Sequence, residues 1–199
     1  MPKNDDGLQG RAHQRQGWQG NFSKEPRRRA GRLMARIALD ANILLLQVVG
    51  LTEPFMLGSV ICFGNTLKPF TRTDYELLCD FIIGAEQIVA TPNALTEVSN
   101  LLKFGVKEPL SVKCILPGSE LYKTFQGLIQ TIGENYWPSA IASTDIEFVR
   151  LGLTDCTWLG VIDPETVFLT NDHNLYLQAC SRGLTAYNFT HLLEQRGLL

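Results

Sequence analysis

The stretch "RIALDANILLLQVVG", residues 36–50, decides the fold, because a short apolar run is followed by a second apolar segment without Gly or Pro. The first run is typical of a buried strand and the second of a buried helix. Asp40 lies between them and is the one charged residue from position 37 to 49. Since an unpaired buried carboxylate is very costly, Asp40 requires hydrogen-bond donors, a counter-charge or a metal ion.

The same alternation of strand and helix patterns continues along the chain. The segments "QIVAT" (87–91), "TVFLT" (166–170) and "LTAYNF" (184–189) predict strands, and a helical pattern follows each of them. We also expect a short strand within "IEFVRLGL" (146–153). Strands that alternate with helices predict an α/β fold with a mainly parallel central sheet.

Several residues predict where helices begin and end. Thr73 and Glu76 have the spacing of a capping box, and that helix should end near Gly84. Pro92 suits the first turn of the helix that follows "QIVAT". Thr154 is expected to cap the helix that contains "TDCTWLGVI".

Two connections have a looser pattern. The segment 56–63, "MLGSVICF", suits either a short helix or a strand. Residues 106–118, "VKEPLSVKCILPG", are expected to form a linker.

The net charge of −2 hides an asymmetry between the N-terminal segment and the rest of the chain. Residues 1–36 contain nine Lys/Arg and three Asp/Glu, whereas residues 37–199 contain nine and seventeen. We expect residues 1–33 to be a disordered basic leader, because they are poor in apolar side chains. The leader is either a nucleic-acid-binding arm or the result of a start assigned too early, with Met34 as the natural start. Residues 34–199 are long enough for one domain.

The composition favours a cytoplasmic protein. No apolar run is long enough to span a bilayer, and the N-terminus lacks the pattern of a secretory signal, so we expect no membrane partner. The five cysteines form no CxxC pair, which is typical of reduced thiols in a reducing compartment.

Four acidic residues have positions that suggest a shared site. Asp40, Asp155 and Asp172 each follow a predicted strand, and Glu97 lies inside a predicted helix with Asn93 and Asn100 on the same face. The carboxyl ends of parallel strands border a ligand-binding crevice, so three strand ends are expected to aim these carboxylates at one place.

Each acid alone is better explained as a helix cap, a partner of the helix dipole or a solvated residue, because acidic residues are common near helix starts. Together, four carboxylates at close range would repel one another and favour protonation. Mg²⁺ or Mn²⁺ would remove this conflict, since both cations prefer oxygen ligands. The sequence therefore predicts that Asp40 is a metal ligand.

These acids also carry a family resemblance. The segments "LDANIL" (39–44), "TPNALTEVSNLL" (91–102), "LGLTDCTWL" (151–159) and "FLTNDHNL" (168–175) resemble the ordered acidic motifs of PIN-domain nucleases. That family includes the ribonuclease toxins of bacterial toxin–antitoxin pairs. The resemblance implies a three-layer α/β/α PIN-like fold and hydrolysis of RNA phosphodiester bonds assisted by Mg²⁺ or Mn²⁺.

The resemblance also assigns roles and partners. Asp40, Glu97, Asp155 and Asp172 would be the catalytic metal ligands, and Asn42 and Thr170 would orient a carboxylate or contact a phosphate. Single-stranded RNA is the expected substrate, and an antitoxin protein and a second copy of the chain are expected partners. The segment between Glu97 and Asp155 is longer than in the smallest toxins of the family, and it would cover the site or form a partner surface.

Other polar and aromatic residues allow two interpretations. His173 is either a general base or a solvated residue at a helix start. Tyr136 and Trp137 either stack on RNA bases or belong to the core, while Asp163 is expected to stabilise the turn with Pro164. The expected local phosphate contacts are Lys103, Lys107, Lys113, Lys123 and Arg150.

Two other functions compete with a nuclease. A PIN-fold module without catalysis would bind RNA or protein, although it would not need four mutually repelling acids. A phosphoryl-transfer enzyme would use Asp40 as a nucleophile, but such enzymes commonly carry a second Asp two residues later, where this chain has Asn42. No GxxxxGK[ST] loop is present, which argues against a nucleoside triphosphatase.

Overall fold

The structure is a computed structural model that describes residues 34–53, 70–103, 106–107 and 114–198. The segment Leu33–Leu199 forms one compact unit. Its elements are, in chain order, β1 (Met34–Leu39), α1 (Ala41–Thr52), α2 (Arg72–Ile82), β2 (Ala85–Ala90), α3 (Pro92–Leu102), β3 (Val106–Lys107), β4 (Cys114–Leu116), α4 (Gly118–Ile129), β5 (Gly133–Glu134), α5 (Ser139–Ala142), α6 (Phe148–Leu151), α7 (Leu153–Val161), β6 (Thr166–Thr170), α8 (His173–Ser181), β7 (Ala186–Asn188) and α9 (Phe189–Gln195).

The central sheet is parallel throughout and has the strand order β5-β2-β1-β6-β7. Strand β1 is in the middle, where Ile37 pairs with Ile88 of β2 and Ala38 pairs with Phe168 of β6. Helices flank this sheet, as expected when each strand returns to the same sheet through a helical crossover. The predicted α/β fold with a mainly parallel sheet is confirmed, and the arrangement is consistent with three α/β/α layers.

The core is built on β1 and α1. Ile37, Ala38 and Leu39 are fully buried, and α1 is apolar on nearly all its faces, with Ala41 and residues 43–50 buried. Such a helix must be covered on more than one side. Helix α1 accordingly packs against α2, α3 and α4 as well as near β6. This burial explains why "NILLLQVV" lacks an amphipathic pattern.

The capping box of α2 differs from the prediction. Thr71, not Thr73, is the N-cap: its Oγ1 accepts from the Asp74 backbone N, and the Thr71 N donates to the Asp74 carboxylate. Glu76 instead forms an exposed ion pair with Arg72. The spacing of the motif was correct but its register was wrong by two residues, because Asp74 can reciprocate as well as Glu does.

Two other helix boundaries confirm the sequence predictions. Helix α2 ends just before Gly84, which has a φ of +87° that suits glycine. Pro92 occupies the first turn of α3, and the Thr91 side chain caps this helix by accepting from the Ala94 N.

The strand predicted within residues 146–153 is wrong. The chain forms two helices there, α6 and α7, which meet at Gly152 with a φ of +85°. This left-handed conformation permits the change of direction between the helices. Thr154 is also not the N-cap, since Gly152 takes that position without a side-chain hydrogen bond.

The linker predicted at residues 106–118 is more ordered than expected. Strands β3 and β4 pair there in an antiparallel manner, and α4 begins at Gly118. The predictions for residues 1–33 and 56–63 lie outside the described residues. Within the described ranges, no helix has the length and apolar character that a membrane crossing requires.

Candidate functional site

Asp40 lies at the carboxyl end of the central strand β1 and is only 5% exposed. Its backbone N donates to the Leu169 carbonyl of β6, which continues the pairing of the two strands by one residue. Its carboxylate accepts from the Ala41 N at 2.6 Å and from the Thr170 Oγ1 at 2.8 Å. Asp40 therefore caps α1 and is also held by the neighbouring strand.

Asp172 lies two residues beyond the end of β6 and caps α8. Its Oδ1 accepts from the Leu175 N at 2.8 Å, and its own backbone N donates to the Thr170 Oγ1 at 2.9 Å. The single Thr170 hydroxyl is therefore hydrogen-bonded to both Asp40 and Asp172. Asp40 and Asp172 are therefore helix caps, which is one of the two roles that the sequence allowed. This role is compatible with a shared site, because Thr170 links the two residues.

Asp155 and Glu97 reach the site from helices. Asp155 is in the first turn of α7 and Glu97 is in the middle of α3, and these two helices pack against each other. The expectation of three strand ends is thus wrong for Asp155, because residues 146–153 are helical. The structure nevertheless brings Asp155 near the other three predicted acids, as the electrostatic effects below show.

The pKa values of Asp155 and Asp40 reveal the proximity of the four acids. Burial raises the pKa of Asp155 to about 7, and the charges of Asp40, Asp172 and Glu97 contribute to this rise. Burial also raises the pKa of Asp40 to about 6. The hydrogen bonds from Thr170 and Ala41 oppose that rise, whereas the charges of Glu97 and Asp172 add to it. Asp40 and Asp155 therefore each lie within electrostatic range of the other three predicted acids.

Glu97 stands at the rim of a cleft. The residue is exposed to solvent, yet the surrounding protein still covers its carboxyl enough to raise its pKa through burial. The cleft has a volume of about 470 Å³ and is lined by Pro92, Asn93, Thr96, Glu97, Asn100, Leu101 and Thr154. This lining confirms that Asn93, Glu97 and Asn100 share one face of α3.

The acids fit a hard divalent cation by their chemistry. Among the described residues, no lysine or arginine contributes to the pKa of Asp40, Glu97 or Asp155, so the negative charges lack a described counter-charge. Carboxylate oxygens are the ligands that Mg²⁺ and Mn²⁺ prefer. In the described part of the chain, no three acidic, histidine or cysteine side chains converge closely enough to form a ready-made ligand group. The acids thus fit Mg²⁺ or Mn²⁺ by their oxygen donors and their negative charge, and not by a preformed arrangement of ligands.

The predicted phosphate contacts are only partly available. The Lys103 Nζ donates to the Asn100 Oδ1 at 3.0 Å, and Asn100 is one of the residues that line the cleft. Lys123 is paired with Glu120 and Arg150 with Glu147 on the protein surface. The side chains of Lys107 and Lys113 lie outside the described part of the structure. Lys103 is therefore the predicted cation that lies beside the cleft.

Two other predictions were resolved by the structure. Asp163 is structural, since its carboxylate pairs with Arg36 and accepts from the Thr166 Oγ1 at 2.8 Å. Trp137 is half-buried, and its indole lies so close to Gly160 that a Cβ added there would be 2.3 Å from the ring. Tyr136 is 71% exposed, so the core interpretation is wrong for Tyr136. Trp137 packs against α7 at Gly160 but is not part of the buried core cluster.

Asn42 and His173 lie close to the acids in sequence. Asn42 is half-buried in the first turn of α1, directly beyond the helix start that Asp40 caps. His173 is exposed at the start of α8, and its ring contacts those of Tyr176 and His191. His191 has no sequence motif around it, but it lies three residues beyond the end of β7, much as Asp172 lies two residues beyond the end of β6.

No family model matches the chain, and no curated protein or solved structure is significantly similar to it.

Proposed function

We propose that this chain is a PIN-type ribonuclease that hydrolyses RNA phosphodiester bonds with the help of Mg²⁺ or Mn²⁺. One observation carries the proposal: Asp40 and Asp155 each lie within electrostatic range of the other three acids, and no described lysine or arginine contributes to the pKa of Asp40, Glu97 or Asp155. A site that concentrates negative charge in this way is unfavourable for the protein alone. Such strain is typical of a site shaped for a bound ligand.

The chemistry that the metal supplies is activation of water and stabilisation of the leaving oxygen of the phosphodiester. The carboxylates of the site differ in how firmly the protein holds them. Asp40 and Asp172 are held by the shared Thr170 hydroxyl and by their helix caps. Glu97 is at the exposed rim of the cleft and can adjust to a ligand. Lys103, held by Asn100, offers a positive charge to a phosphate at the same cleft.

The substrate and partners follow from the PIN resemblance. Single-stranded RNA is proposed because its exposed phosphodiester and unpaired bases can reach the surface cleft that is lined by α3 and Thr154. An antitoxin that blocks this cleft, a homodimer and a cytoplasmic location are part of the same proposal. Asn42 would orient a carboxylate or contact a phosphate from the first turn of α1.

A cleavage assay with fluorescently labelled, mixed-sequence, single-stranded RNA tests the proposal. Wild type and Asp40→Asn are compared with Mn²⁺, with Mg²⁺ and with EDTA. Wild type should cleave only with metal, and the variant should lose more than the roughly 10–100-fold that is typical when an outer partner of a metal site is removed.

Asp80→Asn is the matched control for this assay. Asp80 undergoes the same chemical change, but it lies on α2 and forms an exposed ion pair with Arg196. Its activity should equal that of wild type. Cleavage that persists in EDTA, or that Asp40→Asn retains, would contradict the proposed site.

A module that binds a partner without catalysis is the second candidate. Ile146, just before α6, and Val149, within α6, are 91% and 98% exposed, and such apolar side chains are suited to a protein partner. The two functions differ in their use of metal. A module would neither cleave RNA nor bind Mn²⁺ through the four acids.

A further inference from the structure

Three aromatic rings form a cluster next to Asp172. The His173 ring centroid is 5.7 Å from that of His191 and 6.4 Å from that of Tyr176. The Tyr176 and His191 rings are 5.4 Å apart and nearly perpendicular, at 88°. The two contacts of His191 have the angles of attractive edge-to-face contacts, whereas the His173 and Tyr176 rings are tilted at 40° to each other. We call His173, Tyr176 and His191 the aromatic cluster.

The sheet places the aromatic cluster on the same edge as the acids. Strands β6 and β7 are parallel neighbours, and Thr170 of β6 is paired in register with Asn188 of β7. Their carboxyl ends therefore lie side by side. His173 follows the end of β6 and His191 follows the end of β7. The cluster thus extends the edge that begins with Asp40 at the end of β1.

Hydrogen bonds between the two strand ends fix this arrangement. The Thr190 Oγ1 donates to the Asn171 Oδ1 at 2.8 Å, which joins the start of α9 to the segment after β6. The Asn188 side chain accepts from the backbone N of Thr190 and of His191. His191 is therefore held in place by contacts that do not involve its ring.

The cluster has a covered part and an accessible part. Tyr176 and His191 are half-buried, whereas His173 is exposed. The two covered rings thus support an imidazole that remains open to solvent. Neither His173 nor its neighbours in the cluster are needed for the proposed binding of metal.

We propose that the aromatic cluster binds an unpaired base of single-stranded RNA, with the base stacked on the His173 ring. This inference rests on the proposed function, because the adjacent acids would take the phosphodiester of the same strand. Unpaired bases commonly stack on aromatic side chains, including histidine, and every base offers a suitable face. The site would therefore position the strand for cleavage with little dependence on sequence.

Binding to two fluorescently labelled RNA strands of equal length tests the inference. One strand carries uracil at each position, and the other is abasic with the same ribose-phosphate backbone. Fluorescence anisotropy is measured in EDTA, so cleavage plays no part. Because both strands have the same charge, attraction to the basic residues 1–36 cancels in the ratio of the two affinities.

Wild type should prefer the strand with bases by roughly tenfold, as expected for one stacked base. His173→Ala should bring this ratio close to one, whereas His173→Phe should retain it because phenylalanine keeps an aromatic face. Far-ultraviolet circular dichroism checks that each variant is folded. A wild-type ratio of one, or an unchanged ratio in His173→Ala, would overturn the inference.

A spectroscopic measurement locates the base directly. The chain has three histidines, of which His173 and His191 are in the aromatic cluster. Their imidazole proton signals, assigned with the His173→Ala and His191→Ala variants, should shift with the uracil strand but not with the abasic strand. Unshifted signals would overturn the inference. Neither experiment requires metal or cleavage. The proposal that the aromatic cluster binds a base can therefore be wrong while the proposed nuclease activity is correct, and the reverse also holds.

Discussion

The Thr170 hydroxyl donates a hydrogen bond to the Asp40 carboxylate at 2.8 Å, across the two central strands β1 and β6. The same oxygen accepts from the Asp172 backbone N at 2.9 Å. One buried side chain therefore sets the positions of two acids that are 132 residues apart in the chain. Thr170 therefore supports the site by positioning these two acids, a role that requires no contact with substrate.

Thr170→Val should weaken both the fold and the site. Valine has nearly the shape of threonine but leaves the Asp172 N and the Asp40 carboxylate without this partner. We expect a loss of about 1–3 kcal/mol in the free energy of unfolding, measured by urea denaturation. Because the lost hydrogen bond lowers the pKa of Asp40, that pKa should rise further in the variant.

Thr170→Ser is the matched control for this prediction. Serine keeps the hydroxyl and removes only a methyl group, so most of the stability and any metal binding should remain. Equal losses in the two variants would show that packing of the methyl group, and not the hydrogen bonds, accounts for the effect.

The metal-free protein should become more stable as the pH falls from about 8 to about 5. The pKa values of Asp40 and Asp155 are raised to about 6 and about 7, from an ordinary value of 3.8. Between these limits the folded state binds more protons than the unfolded state, so protonation favours folding. The melting temperature in EDTA should rise through this window, measured by differential scanning calorimetry.

Asp145 and Asp163 act in the opposite direction but at lower pH. Hydrogen bonds from Arg182 lower the pKa of Asp145, and hydrogen bonds and the charge of Arg36 outweigh burial to lower that of Asp163. Their contributions to stability are lost only below about pH 4. A melting temperature that falls steadily from pH 8 to pH 5 would contradict the assigned pKa values of the buried acids.

Asp155→Asn should stabilise the metal-free protein at pH 8. Removing a charge that burial and three neighbouring acids disfavour should add about 1–3 kcal/mol to the free energy of unfolding. At pH 5 the gain should largely disappear, because Asp155 is then protonated in the folded wild type. Asp80→Asn, which changes an exposed ion pair, should give no gain at either pH.

The cap of α2 gives a direct test of the structure against the sequence prediction. Thr71→Ala should cost about 1 kcal/mol, because its side chain satisfies the Asp74 N at the helix start. Thr73→Ala, two residues inside the helix, should change stability little. If chemical denaturation instead showed a larger loss of stability for Thr73→Ala than for Thr71→Ala, Thr73 would be the N-cap, as the sequence predicted.

The sequence predicted the strands best where apolar runs had clear boundaries. Strands β1, β2, β6 and β7 all lie where short apolar segments met polar or glycine residues. The strand predicted in residues 146–153 was wrong, since Val149 and Ile146 are exposed and the run is not a buried strand. Apolar composition cannot distinguish an exposed helix from a buried strand in so short a segment.

The four acids were found for a reason that was only partly correct. Asp40 and Asp172 do follow strands of the central sheet, whereas Asp155 arrives on a helix. The aromatic cluster had no signal of this kind. His173 and Tyr176 are a helical turn apart, but the approach of His191 depends on the pairing of β6 with β7. Contacts between distant elements of the chain have no period in the sequence.

Calorimetric titration with Mn²⁺ tests the central claim most directly, because it asks whether the four acids form one metal site. It is performed at pH 8 on wild type, on Asp40→Asn, Glu97→Gln, Asp155→Asn and Asp172→Asn, and on two controls. The controls are Asp80→Asn and Glu86→Gln, and Glu86 is an exposed residue of β2. Wild type and both controls should bind Mn²⁺ with the same saturable affinity, and each of the four site variants should bind at least about tenfold more weakly. Absence of binding by wild type, or equal binding by all seven proteins, would contradict the account.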